Sequence, residues 1–196
     1  MPVTSISQLD PRGNYTYADY LTWRFEQMVE LIQGQLFILS PAPANRHQAI
    51  SSHLLTKILP YFEKHSCNIY HAPFDVRLVK GKKTDKEITT VVQPDICIIC
   101  DESKIDEKGC LGSPDWIIEI LSPSTAKKDY NEKYNLYQEN GVKEYWIVNP
   151  DANCMHQYVL NNSGLQYDEA GFFTKQDKVS PALFPELIIE LEFVFK

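Results

Sequence analysis

Two carboxylates sit where apolar strands would normally exclude them. Asp95 opens the run Asp95-Ile96-Cys97-Ile98-Ile99, and Glu119 stands inside Trp116-Ile117-Ile118-Glu119-Ile120-Leu121. An ionised Glu in the middle of an apolar strand is costly to bury unless it is paired or bound to a metal. If the two strands are neighbours, the carboxylates converge and repel, and a divalent cation resolves the repulsion. Hard oxygen ligands suit Mg²⁺ or Mn²⁺. Such an ion can activate water and stabilise charge on a phosphate. The plainer alternatives are turn chemistry for Asp95 and a buried salt bridge for Glu119.

A lysine would complete a hydrolytic site. Two residues after Glu119, on the same strand face, stands Leu121, which cannot serve. The helix expected over 125–140 offers a substitute. Asp129, Lys133 and Tyr137 recur at i, i+4 and i+8 on one helical face. Lys133 can therefore aim back toward the strand end. The competing reading is an ordinary Asp129–Lys133 surface pair, worth about 0.3–0.5 kcal/mol.

The elements that must position these residues read as follows. Thr16-Tyr17-Ala18-Asp19 is a capping box with Asp in place of Glu, opening a helix to about Phe25. Two apolar runs flank Gln33-Gly34 over 29–39, a hairpin pattern. Residues 46–65 are an amphipathic helix, with Ile50, Leu54, Leu55, Ile58, Leu59 and Phe62 at helical spacing and Pro60 interrupting. Strands follow over 68–79, 89–99, 116–121 and 144–148, and Gly141 caps the 125–140 helix. Short antiparallel strands are expected at 155–160, 166–168, 172–174 and 187–195. The layout is mixed α/β, a sheet packed against helices. It forms one domain over 1–196, with 1–14 as a loose N-terminal arm.

The chain of 196 residues is 43% hydrophobic, enough for a sizeable core and too much for disorder. No apolar run is long enough to span a membrane. The start, Met1-Pro2-Val3-Thr4-Ser5, has neither a basic n-region nor an apolar h-region, which points to the cytoplasm. Five cysteines are expected as reduced, packed thiols. Cys97 and Cys100 are an odd distance apart, so a strand sends them to opposite faces and disfavours structural zinc. A net charge of −7 does not advertise nucleic acid, although a bound cation would offset part of it.

Several blocks together resemble the Uma family of restriction-endonuclease-like proteins, within the PD-(D/E)xK nuclease superfamily. They are Pro94-Asp95, Pro114-Asp115 running through Glu119 to Ser122-Pro123-Ser124-Thr125, Asp129 through Lys133 to Tyr137, and Gly141-Val142-Lys143-Glu144-Tyr145-Trp146. Upstream, Glu30 to Leu36 and Ser40-Pro41-Ala42-Pro43 with His47 also match, as does Leu183-Phe184-Pro185-Glu186-Leu187 downstream. The resemblance implies a restriction-endonuclease-like core and a Mg²⁺- or Mn²⁺-dependent site that hydrolyses DNA phosphodiesters. It implies that the lysine has moved to the helix, so that Leu121 is no departure. Asp95 and Glu119 become metal ligands, with the Ile120 carbonyl as a third. Lys133 orients water or steadies phosphate. Gln93 and Asp115 flank the motif as supporting contacts. Glu30 and His47 join the catalytic set if the hairpin and the long helix line the cleft; otherwise Glu30 is a strand-surface acid and His47 a helix-start residue.

Lys80, Lys82, Lys83, Lys127 and Lys128 are candidate phosphate contacts, against their ordinary reading as solvated loop charges. Tyr130, Tyr134, Tyr137, Tyr145 and Trp146 gather around one helix, as core or as the interface of a homodimer or higher oligomer. The rival functions are a catalytically silent nucleic-acid-binding or regulatory protein on the same fold, and an oligomeric protein whose buried acids form structural pairs only.

Overall fold

The computed structural model describes residues 2–39, 45–81, 83–122 and 129–196. The strands, numbered in chain order, begin with β1 (Val29–Ile32), β2 (Gln35–Ile38), β3 (Asn68–His71), β4 (Val76–Arg77), β5 (Val91–Val92), β6 (Ile96–Ile99) and β7 (Ile105–Asp106). They continue with β8 (Gly109–Leu111), β9 (Trp116–Ile120), β10 (Glu144–Asn149), β11 (Cys154–Leu160), β12 (Tyr167–Thr174), β13 (Lys178–Val179) and β14 (Ile189–Glu190). The helices are α1 (Tyr17–Tyr20), α2 (Asn45–Phe62), α3 (Tyr134–Asn140) and α4 (Leu191–Val194). A π-helical turn, Asp129–Lys133, leads into α3.

Among the described residues the strands form two six-stranded sheets and a two-stranded one. The central sheet runs β12-β11-β10-β9-β6-β3. It is mixed: β9 and β10 pair in parallel, and the other neighbours are antiparallel. A parallel pair needs a crossover, and the segment carrying the π-turn and α3 supplies it. The second sheet, β2-β1-β5-β4-β8-β7, opens with the hairpin expected at Gln33-Gly34. Both turn residues have positive φ, 50° and 80°, as a two-residue type I′ turn requires.

Alternation along β9 divides the core. Ile118 and Ile120 face α2, where Ile50, Leu54, Ile58 and Phe62 are buried. Ile117 and Leu121 face the other way, onto Leu136 and Tyr137 of α3 and onto Val76 and Val92 of the second sheet. Glu119 lies on that second face, between an apolar sheet and an apolar helix.

Several elements differ from expectation. Residues 68–79 are two short strands, because Pro73 has no N–H to continue a ladder. The first helix stops at Tyr20, although Asp19 does accept the Thr16 N–H at 2.8 Å. Leu59 is exposed, so the apolar face of α2 is narrower than its leucines suggest. Residues 166–168 and 172–174 belong to one strand, β12. The expected strand over 187–195 ends in α4, where Leu191, Val194 and Phe195 are buried at helical spacing. The N-terminal arm is tied down: Ser5 and Gln8 form a capping box, Val3 bridges Trp23, and Val3, Ile6 and Leu9 pack on the cluster of Tyr17 and Trp23.

The cysteines correct another expectation. Cys67 and Cys100 form a disulfide, because the antiparallel register Asn68↔Ile99 sets the two flanking residues opposite each other. Cys97, Cys110 and Cys154 are free and buried. Tyr137, Tyr145 and Trp146 are fully buried, so they serve the core and not a surface. No helix of the described residues is long and apolar enough to cross a membrane.

Glu144 on β10 fastens the C-terminal segment to the central sheet. Its carboxylate accepts from Trp146 Nε1, Gln157 Nε2 and the N–H groups of Ala182 and Leu183, at 2.7–3.0 Å. Every partner is a donor. Glu144→Gln would turn an NH₂ toward N–H groups and is expected to cost roughly 1–3 kcal/mol of stability in urea denaturation.

Candidate active site

The register that builds the central sheet also assembles the acids. β6 pairs with β9 at Ile96↔Ile118. One step further along the antiparallel ladder, Asp95 stands opposite Glu119. The Asp95 N–H donates to Glu119 Oε2 at 3.4 Å, and the Ile120 N–H donates to Asp95 Oδ2 at 2.7 Å. The expected convergence of the two carboxylates is therefore present.

Lys133 reaches the same point from the π-turn. A π-turn widens the helix locally and is frequent at functional sites. Lys133 Nζ lies 2.7 Å from Glu119 Oε1, 2.9 Å from Glu30 Oε1 and 3.8 Å from Asp129 Oδ1. All four side chains are at most 5% exposed. This is no surface pair of the ordinary i, i+4 kind. Tyr137 OH donates to Glu119 Oε1 at 2.6 Å. Leu121 occupies the place of the missing strand lysine and is buried in the apolar cluster with Ile117.

Glu30 and His47 both join the site. Glu30, on β1, is fully buried and accepts the Gln93 N–H at 3.0 Å. His47, in the first turn of α2, places Nε2 3.2 Å from Asp95 Oδ2. Gln93 is at the cleft too. Asp115 is not: it lies at the opposite end of β9, where it accepts the Cys100 N–H and pairs with Lys143 at 2.7 Å. Lys83 is exposed in the loop before β5 and does not line the cleft. Lys82, Lys127 and Lys128, the Ser40-to-Pro43 block and the start of the 125–140 helix fall outside the described residues.

The cleft has a volume of about 270 Å³, and Asp95, Glu119, Ile120 and Lys133 line it together with His47, Gln93 and Asp129. Its electrostatics follow from four acids facing few cations. Burial raises the Glu119 carboxyl, Lys133 opposes, and Asp129, Asp95 and Glu30 raise it again, to about 8. Burial lowers the Lys133 ammonium, but Glu119, Glu30 and Asp129 outweigh it and hold the proton well above the ordinary lysine value. Burial likewise lowers His47, yet its hydrogen bond to Asp95, the Asp95 charge, the Ile120 carbonyl and Glu119 raise it overall. The cluster thus carries more negative charge than its own cations neutralise.

Among the described residues, no group of three or more His, Cys, Asp or Glu side chains is arranged to hold a metal ion alone. The donor chemistry nevertheless fits a hard divalent cation. Asp95 and Glu119 offer carboxylate oxygens at one cleft, Ile120 lines it with them, and the excess negative charge would be offset there.

Sequence reasoning missed the role of Tyr137 as a hydrogen-bond donor to Glu119, although its place in the Asp129–Lys133–Tyr137 stripe was visible. It also missed Tyr20 and Asp75, which hold Gln93; no spacing in the sequence signals them.

Comparison with known proteins gives a family and a fold. A family model described as "Uma2: Putative restriction endonuclease" matches residues 17–192. An uncharacterized protein of Synechocystis sp., slr1290, is 25% identical over 149 residues, covering 74% of each chain. A second, sll1609, is 26% identical over 149 residues, covering 73% of this chain and 79% of its own. The crystal structure of a chain described as a putative nuclease belonging to DUF820, from Anabaena variabilis, superposes with a TM-score of 0.72. It covers 92% of this chain and 97% of its own at 22% identity, and so supports the fold.

Two measurements probe the cluster. Lys133→Met would leave three acids buried without their cation and should cost about 3–5 kcal/mol in chemical denaturation. The second concerns pH. Glu119 binds its proton more tightly folded (about 8) than at its ordinary value of 4.5. Its contribution to stability is therefore complete below the ordinary value and lost as pH rises toward about 8. In EDTA, the Tm of the wild type should fall across that window, and Glu119→Gln should flatten the fall.

Proposed function

This chain belongs to the Uma2 family of restriction-endonuclease-like proteins, and we propose that its cleft hydrolyses DNA phosphodiester bonds with the help of Mg²⁺ or Mn²⁺. The observation that carries the reading is the convergence of Asp95, Glu119 and Lys133 at one buried cleft, from two strands and the following helix.

In this reading Asp95 and Glu119 would hold the cation, with the Ile120 carbonyl as a further oxygen. When bound, the cation supplies Lewis acidity toward water and phosphate. The residues of the chain do the remainder. Lys133, kept protonated by its acids, orients the attacking water and steadies the charge on the phosphoryl oxygens. Glu30 and Asp129 fix the ammonium, and Tyr137 fixes the Glu119 carboxylate. His47 is held against Asp95 with a raised proton affinity, which suits it to bind a phosphate oxygen or to protonate a leaving oxygen. The water oxygen bonds to phosphorus and gives up a proton to solvent, one P–O ester bond breaks, and the leaving oxygen takes up a proton from His47 or from water.

The net charge of −7 gives DNA no broad basic surface and weighs against turnover; the second reading is a catalytically silent nucleic-acid-binding or regulatory protein of this fold. Salt-dependent DNA retention with no product would support it.

Purified protein is expected to nick supercoiled plasmid when Mg²⁺ or Mn²⁺ is added and not in EDTA. Glu119→Ala and Asp95→Ala should each reduce nicking at least about a hundredfold, the scale of losing one preorganised electrostatic group. Nicking that survives Glu119→Ala would sink the assignment.

A further inference from the structure

The five cysteines of the chain fall into two chemical groups. Cys97, Cys110 and Cys154 are free and buried, and burial pushes each thiol up, Cys97 well above its ordinary value and Cys110 to about 12. A thiol that resists ionisation is a poor nucleophile, toward a disulfide or an alkylating reagent. Cys67 and Cys100 are half-buried at the edge of the central sheet and joined to each other. Theirs is the sulfur pair open to exchange with an outside thiol, and the buried thiols do not compete for it.

The bond sits at one end of a ladder and the cleft at the other. β3 pairs with β6 from Asn68↔Ile99 to His71↔Ile96. Before this ladder Cys67 is tied to Cys100. After it the Ala72 N–H donates to the Asp95 carbonyl at 3.2 Å, and Ala72 and Pro73 form a wall of the cleft. β3 is an edge strand, and none of its four residues is fully buried, whereas β6 and β9 are buried throughout. Its packing rests on Ile69 against the α2 side of the core and on Tyr70, whose ring stacks on Phe74 at 4.0 Å. Segments with few buried contacts open at the lowest free energy. The disulfide joins residues 33 apart in sequence and closes the chain across this weak strand. Cys100 keeps a second tie, its N–H donating to Asp115 Oδ2 at 2.8 Å. Breaking the S–S bond therefore frees the β3 side and leaves β6, with Asp95, in place.

We propose that the Cys67–Cys100 bond is a redox-operated staple on the cleft wall: oxidised, it holds β3 and the Ala72–Pro73 wall against Asp95, and reduced, it lets that wall open. The reductant is a dithiol. One of its thiolates bonds to one of the two cysteine sulfurs, the S–S bond breaks, and the other cysteine leaves as a thiolate that takes up a proton. The second thiol of the reductant then displaces the remaining cysteine. Two electrons and two protons pass to Cys67 and Cys100, and the reductant leaves as a disulfide. The inference concerns the wall and not the reaction behind it, so it stands whether or not the cleft hydrolyses DNA.

The test reads the wall apart from cleavage. Folded protein is treated with a thioredoxin-class dithiol and then with iodoacetamide. Its mass should rise by the labels of Cys67 and Cys100 alone, and by none without the dithiol. Amide hydrogen exchange over residues 68–73 should lose at least about tenfold in protection on reduction and regain it on reoxidation, while β10 and β12 change little. Cys67→Ser combined with Cys100→Ser should match the reduced wild type and no longer respond to the dithiol. The proposal is overturned if the folded protein takes up no label after the dithiol, if protection over 68–73 is unchanged, or if it falls equally over all strands, the sign of general destabilisation. Plasmid nicking adds an independent arm. Its rate is expected to fall on reduction in the wild type and not in the serine pair, and a wild-type rate that does not fall would overturn the staple's hold on the cleft. A protein that never nicks in either state, yet shows the local exchange response, would defeat the hydrolytic reading and keep the staple.

Discussion

The site depends on one buried ammonium. Lys133 is the cation at which strand β1, strand β9 and the helical crossover meet, through Glu30, Glu119 and its own neighbour Asp129. Taking four ionisable groups out of water is unfavourable for each alone. Together they are tolerable because every carboxylate shares the same positive centre. The arrangement is still imperfect, since one lysine cannot neutralise three acids and Asp95 adds a fourth close by. Burial first, and that imbalance after it, raise the proton affinity of Glu119. A fold meant only to be stable would gain more from apolar residues of similar volume. The surplus acid gathered in the cleft is what the proposed divalent-cation site would account for.

The scaffold around the charge is correspondingly apolar. β9 is buried along its whole length, and Trp116, Ile118 and Ile120 lock one face against α2 while Ile117 and Leu121 lock the other against α3. This fixes Glu119 in direction as well as depth. Asp95 is fixed by the Ile120 N–H and His47, and Glu30 by the Gln93 N–H. The reactive groups thus sit on strands and helix starts held by packing, the rigid placement that preorganised chemistry needs. Gln93 links this centre to its surroundings: its backbone serves Glu30, and its side chain is turned by Asp75 and Tyr20.

Much of this was legible in residue order. The hairpin at Gln33-Gly34, the long amphipathic helix, the αL cap at Gly141 and the carboxylates inside apolar runs are local signals, and local signals survive in a sequence. The helical stripe of Asp129, Lys133 and Tyr137 was legible as a stripe, but as a pair it was indistinguishable from a surface ion pair. Only burial separates the two. The disulfide between Cys67 and Cys100 and the anchoring of residues 2–9 were not legible. Both depend on which segments pair and in what register.

What the sequence determined by itself is the chemistry on offer: two oxygen acids in strands, no lysine at 121, and a lysine one helix later. These are properties of residue type and period, which side-chain alternation and helical spacing carry without tertiary information. What the tertiary structure alone decided is convergence. The β6–β9 register brings Asp95 opposite Glu119, and the parallel β9–β10 crossover carries Lys133 back over Glu119. The hairpin strand delivers Glu30 from the other sheet. Register and crossover are relations between segments distant in the chain, set by how apolar faces pack against one another. No single segment contains them.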